Sequence, residues 1–234
     1  MTAGTGAGRT AADHPTGDNP TGGGRARQDP ARQDPAGQDP AGQDPAGQEV
    51  ASRDLVAAWK PELLGVAGRV LPVVAAPDPV LSRVGERVDP ADPAVVQLAA
   101  DLVATMRVSP GCVGLAAPQV GVSAQVFVVD VTEHPKTSTT HGTFVLCNAA
   151  VLEASRWRPG REGCMSVPDL TGDVKRAGRV VVQGELPGTG EAVRLTTDAF
   201  EARALQHEID HCAGALFLDR VAGAHAIYQR KTYL

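Results

Sequence analysis

Residues 2–49 contain no Val, Ile, Leu, Phe, Tyr or Trp, and all eight aromatic residues of the 234-residue chain lie at Trp59 or later. A segment without large apolar side chains cannot bury enough surface to offset the entropy of ordering it. Residues 1–58 are therefore expected to form a disordered, low-complexity tail, and residues 59–234 a single folded domain with one core. Within the tail, residues 28–47 read QDPAR once and then QDPAG three times. This unit has no apolar face to stack against a neighbour, so it reads as a tether and not as a solenoid.

Charge divides along the same line. Residues 1–50 carry four basic and seven acidic residues, which is −3 of the formal net charge of −5. The folded part is nearly balanced, so the acidity says little about a substrate. No basic stretch is interleaved with aromatics, and no direct nucleic-acid site is expected. No apolar run is long enough to span a bilayer, and no apolar segment at the N-terminus resembles a secretory signal. Four cysteines in such a chain read as thiols or metal ligands, not as a disulfide framework.

The element pattern points to an α+β domain. Val70 to Val74 reads as a short extended segment. Asp92-Pro93 opens a helix, with Asp as N-cap and Pro at the first helical position. Val95, Leu98, Ala99, Leu102, Val103 and Met106 follow on one apolar face, and Ser109-Pro110-Gly111 ends the helix. Residues 125–130 and 143–147 read as strands, and 179–183 with 191–195 as a hairpin about Leu186-Pro187-Gly188-Thr189-Gly190. Asp198 and Glu201 form a capping pair for a second helix, and Gly214 is placed to end it.

That second helix carries His207-Glu208-Ile209-Asp210-His211. Histidines at i and i+4 share one helical face and can hold one metal ion. Phe200 and Ala204 continue the stripe, so both rings point inward. A carboxylate beside the first ligand reaches a metal-activated water and can take its proton. The plainer reading is a pair of core histidines bonded to carbonyls. A catalytic ion needs a third protein ligand and an open position. No Glu follows Glu208, Phe217 occupies the place where an extended zinc-protease pattern has its third His, and Asp219 and His225 fit no familiar spacing. Upstream, Glu162-Gly163-Cys164-Met165-Ser166 offers Cys164, whose thiolate would complete a Cys-His-His set, against the alternative of a buried structural thiol. Cys147 reads as core, and Cys112 and Cys212 as cavity wall or core. A third segment, Val113 to Gly121, reads as a loop of small residues in which Gln119 offers an amide donor for an oxyanion. Asp210 reads as a helper of the metal ligands or an anchor of the helix, and Arg176 as a contact to peptide or a surface residue.

Taken together and in this order, Cys112 to Gln119, Glu162 to Ser166 and Gln206 to His211 resemble the three motifs of the peptide deformylases, over roughly residues 65–230. The resemblance implies short, mostly antiparallel sheets packed around a central metal-binding helix. It implies Cys164, His207 and His211 as metal ligands and Glu208 as the catalytic acid and base. Gln119 and the Met165 N–H become oxyanion donors, and Gly114 and Leu115 belong to the loop that lines the substrate pocket. The implied cofactor is one divalent ion, Fe(II), with Zn(II), Ni(II) or Co(II) as substitutes. The implied activity is hydrolytic removal of the formyl group from N-formylmethionyl peptides and nascent chains, at the ribosome, in a bacterial cytoplasm and away from membranes. Departures are Cys112 at the first motif glycine, Met165 where Leu is frequent, and Cys212-Ala213 after the last ligand. Two other readings compete: a different metal hydrolase such as a peptidase, and a metal-binding module without catalysis.

Overall fold

The chain is described from a computed structural model that covers Val56 and residues 59–231. Apart from Val56, the expected tail lies outside the described residues. Among the described residues, two α-helices longer than three turns and eight strands order the domain. Helix α1 is Pro93–Val108, and α2 is Ala199–Cys212. Strands β1 (Gly114–Ala116), β2 (Val126–Val129), β3 (Phe144–Ser155), β6 (Arg179–Glu185) and β7 (Ala192–Asp198) form an antiparallel sheet in the order β1-β2-β3-β6-β7. Strands β4 (Arg158–Cys164), β5 (Val167–Arg176) and β8 (Ile227–Gln229) form a second, three-stranded antiparallel sheet. The architecture is α+β, as the pattern of elements implies. No helix among the described residues is long and apolar enough to cross a membrane.

The five-stranded sheet and both helices enclose the main core. Val126, Val128, Val145, Leu146, Leu195 and Leu205 are fully buried, with Phe127 and Phe144 among them. Each such side chain contributes roughly 1.5–3 kcal/mol relative to exposure. Helix α1 begins as expected: the Asp92 carboxylate accepts from the Ala94 N–H, and Pro93 occupies the first turn. It also carries two buried polar side chains, and these explain the extended segment before it. Asp101 accepts the Arg69 N–H at 2.7 Å, and Thr105 Oγ1 accepts the Leu71 N–H at 2.9 Å. Val74 N–H donates to the Gln119 carbonyl. Residues 70–74 are therefore extended without joining a sheet, because helix side chains and a loop carbonyl take up backbone donors that strand pairing would have used.

The β6–β7 hairpin forms with Glu185 opposite Ala192. Strand β3 runs well past the expected 143–147, with an irregularity at Asn148. That residue has φ +54°, a conformation asparagine tolerates, and its amide grips both the N–H and the carbonyl of Val88.

Helix α2 departs from expectation at its start. Asp198 stands at the N-cap but makes no capping bond. It accepts instead from Thr139 Oγ1 at 2.7 Å, and Glu201 takes the His141 N–H at 2.8 Å, His141 Nδ1 at 2.6 Å and Thr197 Oγ1 at 2.6 Å. Both carboxylates hold the loop before β3 in place of the helix end. At the other end Gly214 has φ +73°, and an added β-carbon would stand 2.7 Å from the Arg83 carbonyl carbon. Only glycine meets both demands.

Candidate metal centre

Helix α2 packs across the five-stranded sheet and delivers His207 and His211 to one side. Cys164 ends β4, just before the two-residue turn into β5. One donor atom from each of Cys164, His207 and His211 lies within 4.8 Å of the other two. Cys164 Sγ is 3.2 Å from His211 Nε2, and the imidazoles meet edge to face at 4.9 Å between centroids. Asp219 and His225 fall outside this cluster, and Asp219 is used in accepting the Leu216 N–H. Among the described residues this is the one group of three or more such side chains able to share an ion.

The neighbours fix how each ligand presents itself. Glu162 Oε2 lies 3.0 Å from His207 Nδ1. Held there as a hydrogen-bond donor, His207 keeps Nε2 free for a metal. Glu162 is buried and also accepts from Arg176 Nε at 2.9 Å and Arg203 Nη1 at 2.7 Å. Burial alone would raise its pKa, but His207 and Arg176 outweigh that and hold the carboxyl well below the usual range. Arg176, read from sequence as a peptide contact or a surface residue, is not at the surface. It is buried and joins Glu162 to Asp210, which also pairs with Arg220 at 2.6 Å. Asp210 thus anchors the helix. The motif spacing showed Glu162 but nothing of its task, and Arg203 carried no signal, because both act through partners distant in sequence.

Glu208 is buried, with Oε2 lacking any hydrogen-bond partner among the described residues. Its pKa is pushed up to about 7, chiefly by burial, with Glu162 and Asp210 adding to the shift and His207 and Arg176 opposing it. Burial and the neighbouring His207 lower that of His211 well below the ordinary imidazole value. His211 Nδ1 is another buried atom without a hydrogen-bond partner among the described residues. A soft sulfur, two imidazoles and a buried carboxylate, gathered at one point, fit a divalent cation better than they fit an empty core.

Gln119 is buried and aimed. Its Oε1 accepts the Ala116 N–H at 2.9 Å, which turns Nε2 toward Cys164 Sγ and Ser166 Oγ, 3.3 Å from each. The segment read as a loop is the edge strand β1 followed by a 3-10 turn at Ala117–Val120. Gly114, Met165, Gln119, Cys164, His207 and Glu208 line one cavity of about 480 Å³. Leu115 is placed elsewhere: its side chain is wholly buried in the main core. Cys112 forms part of the cavity wall, whereas Cys147 and Cys212 belong to the core. Burial pushes these three thiols up to about 12, so they stay protonated at neutral pH.

Donor set and carboxylate together make a candidate site for one metal ion, with a buried carboxylate beside it. The family model described as polypeptide deformylase matches residues 70–226, and the chain belongs to that family. It is 43% identical over 152 residues to peptide deformylase 1 of Bacillus cereus, covering 65% of this chain and 92% of the relative. The peptide deformylase of Carboxydothermus hydrogenoformans is 39% identical over 151 residues, 64% of this chain and 93% of its own. Among solved structures, peptide deformylase from Thermotoga maritima aligns with a TM-score of 0.60 at 31% identity, covering 66% of this chain and 99% of that one. The Met-Ala-Ser-bound class I type b peptide deformylase from Acinetobacter baumannii aligns at 0.59 and 36%, covering 65% and 100%.

Proposed function

We propose that this chain hydrolyses the formyl amide of N-formylmethionyl peptides, acting in the bacterial cytoplasm on nascent chains as they leave the ribosome. One observation carries the reading: the Cys164, His207 and His211 donors converge within 4.8 Å, beside a cavity lined by Cys164, His207 and buried Glu208. Family membership and the peptide bound to the Acinetobacter baumannii relative support the substrate class.

Cys164, His207 and His211 would hold one divalent ion, Fe(II) by family resemblance, with Zn(II), Ni(II) or Co(II) as substitutes; when bound it supplies Lewis acidity and an acidified water. Glu208 takes a proton from the attacking water, a task suited to a carboxyl with pKa about 7. Hydroxide adds to the formyl carbon, and charge grows on the formyl oxygen. Gln119 Nε2 and the Met165 N–H are the donors assigned to that oxygen, each typically worth about 3 kcal/mol of barrier. Glu208 returns its proton to the nitrogen as the carbon–nitrogen bond breaks, giving formate and a free amine. A formyl group has hydrogen where acetyl has methyl. A tight floor at Gly114 would exclude acetylated peptides by contact.

Metal exchange tests the reading. Protein stripped by chelator should release no formate from formyl-Met-Ala-Ser and regain activity on anaerobic loading. An Fe(II) ion beside a thiolate invites oxidation, so the iron form should decay in air and the nickel form persist. Full activity after stripping, or equal lifetimes, would count against this assignment.

A further inference from the structure

A second cavity, of about 370 Å³, adjoins the first, and Lys136, Arg161, Phe200 and Arg203 line both. Arg156 and Arg158 line the second alone. Its wall is built to admit a guanidinium. A β-carbon at Gly160 would stand 2.7 Å from Arg203 Nη2, and the carbonyls of Gly160, Arg158 and Val174 accept from Arg203. Arg203 is paired with Glu162, Arg161 with Asp173, and Arg176 with Glu162 and Asp210. Lys136, Arg156 and Arg158 have no ion-pair partner among the described residues. The one carboxylate in the lining, Asp198, is held by Thr139 Oγ1. Positive charge is thus concentrated here, although residues 51–234 carry two more acidic than basic residues overall.

We propose that this basic cavity is a subsite for a carboxylate of the peptide substrate, an acidic side chain one or two residues beyond the formylated methionine. The inference rests on the deformylase reading and adds a sequence preference to it. An extended peptide advances about 3.3 Å per residue. Its second and third residues therefore stand roughly 3–7 Å beyond the formylated methionine, and the second cavity adjoins the first through Lys136, Arg161, Phe200 and Arg203. Arginine is matched to carboxylate geometry, and unpaired arginines at a cavity rim attract it. The rim is open to solvent, so the gain is moderate and weakened by salt.

The test uses C-terminally amidated peptides, so that the only carboxylate is the one introduced. Formyl-Met-Ala-Ser-amide is compared with versions carrying Glu or Lys at the second or third position, at low and high ionic strength. The Glu peptides should show kcat/KM about fivefold above the neutral one, through KM. The Lys peptides should fall below it, and salt should narrow the spread. In Arg156→Gln/Arg158→Gln, two exposed positions outside the metal cavity, the series should converge. Calorimetry with the formyl-free product peptides repeats the comparison without turnover. Charge-ordered binding with no formate from any peptide would keep the subsite and overturn the deformylase reading. Turnover without charge order would overturn the subsite. A ribosomal RNA hairpin bound by the wild type and lost by the variant, with all peptides equal, would assign the patch to nucleic acid and overturn it as well.

Discussion

At Gly114 a β-carbon would stand 2.5 Å from Glu208 Oε1 and 2.8 Å from Cδ. The carboxylate therefore occupies space that any other residue would claim. Gly114→Ala should fold, since a side chain and not backbone must give way, but with Glu208 displaced. Misplacement by about 1 Å costs on the order of 100-fold; kcat should fall by about that factor while circular dichroism stays the same. An unchanged kcat would show that Glu208 is not held by this contact. Glu162 offers a second residue-scale test. It orients His207 and neutralises Arg176 and Arg203. Glu162→Gln should weaken metal binding roughly 10–100-fold in chelator competition. Undiminished affinity would reduce Glu162 to a structural ion pair. Cys147 and Cys212, buried and with pKa near 12, should resist alkylation in the native protein at neutral pH. Rapid labelling of either would contradict their placement in the core.

At the scale of elements, α2 owes its central place to polar side chains that reach in several directions. Glu201 binds the loop at His141, and Gln206 clamps Ala177 through both its N–H and its carbonyl. Asp210 binds Arg176 and Arg220. Glu201→Ala would leave the His141 N–H and the Thr197 hydroxyl buried without an acceptor. The expected loss is about 3 kcal/mol, read in urea unfolding as a lower midpoint with unchanged slope. A shift within error would mean that water replaces the carboxylate. The same helix shows what was legible in the sequence. Its histidines, its Glu208 and its terminal Gly214 follow from spacing alone. The cap at Asp198 did not form, because the loop at residues 139–141 is a better partner and lies far away in the chain. Strands β4 and β5 escaped notice for a related reason. Their sheet buries only a small apolar cluster of Cys164, Val167, Val174 and Phe217. It is held also by ion pairs such as Glu162–Arg176 and Arg161–Asp173. Alternation of apolar residues, the usual mark of a strand, is therefore weak in Arg158–Cys164.

For the whole molecule, the division between a segment without large apolar residues and an aliphatic body sets the expectation for truncation. The family match begins at residue 70. Removing residues 1–50 takes away none of the described groups that line the metal cavity, so formate release should stay within a few-fold of the full chain. Collapse of activity in a truncation that still folds would assign the repeats a catalytic or docking task. The proposed metal ligands and base were legible because each belongs to a short motif. The basic second cavity was not, because Lys136, Arg158 and Arg203 come from a loop, a strand and a helix that meet only in the fold. The most direct test of the account compares formate release from formyl-Met-Ala-Ser by anaerobically iron-loaded wild type and Glu208→Ala, with metal content measured in both. The account predicts formate from the wild type alone, with the variant still holding its ion on Cys164, His207 and His211. Equal release by both, or a fully metallated wild type that releases none, would contradict it.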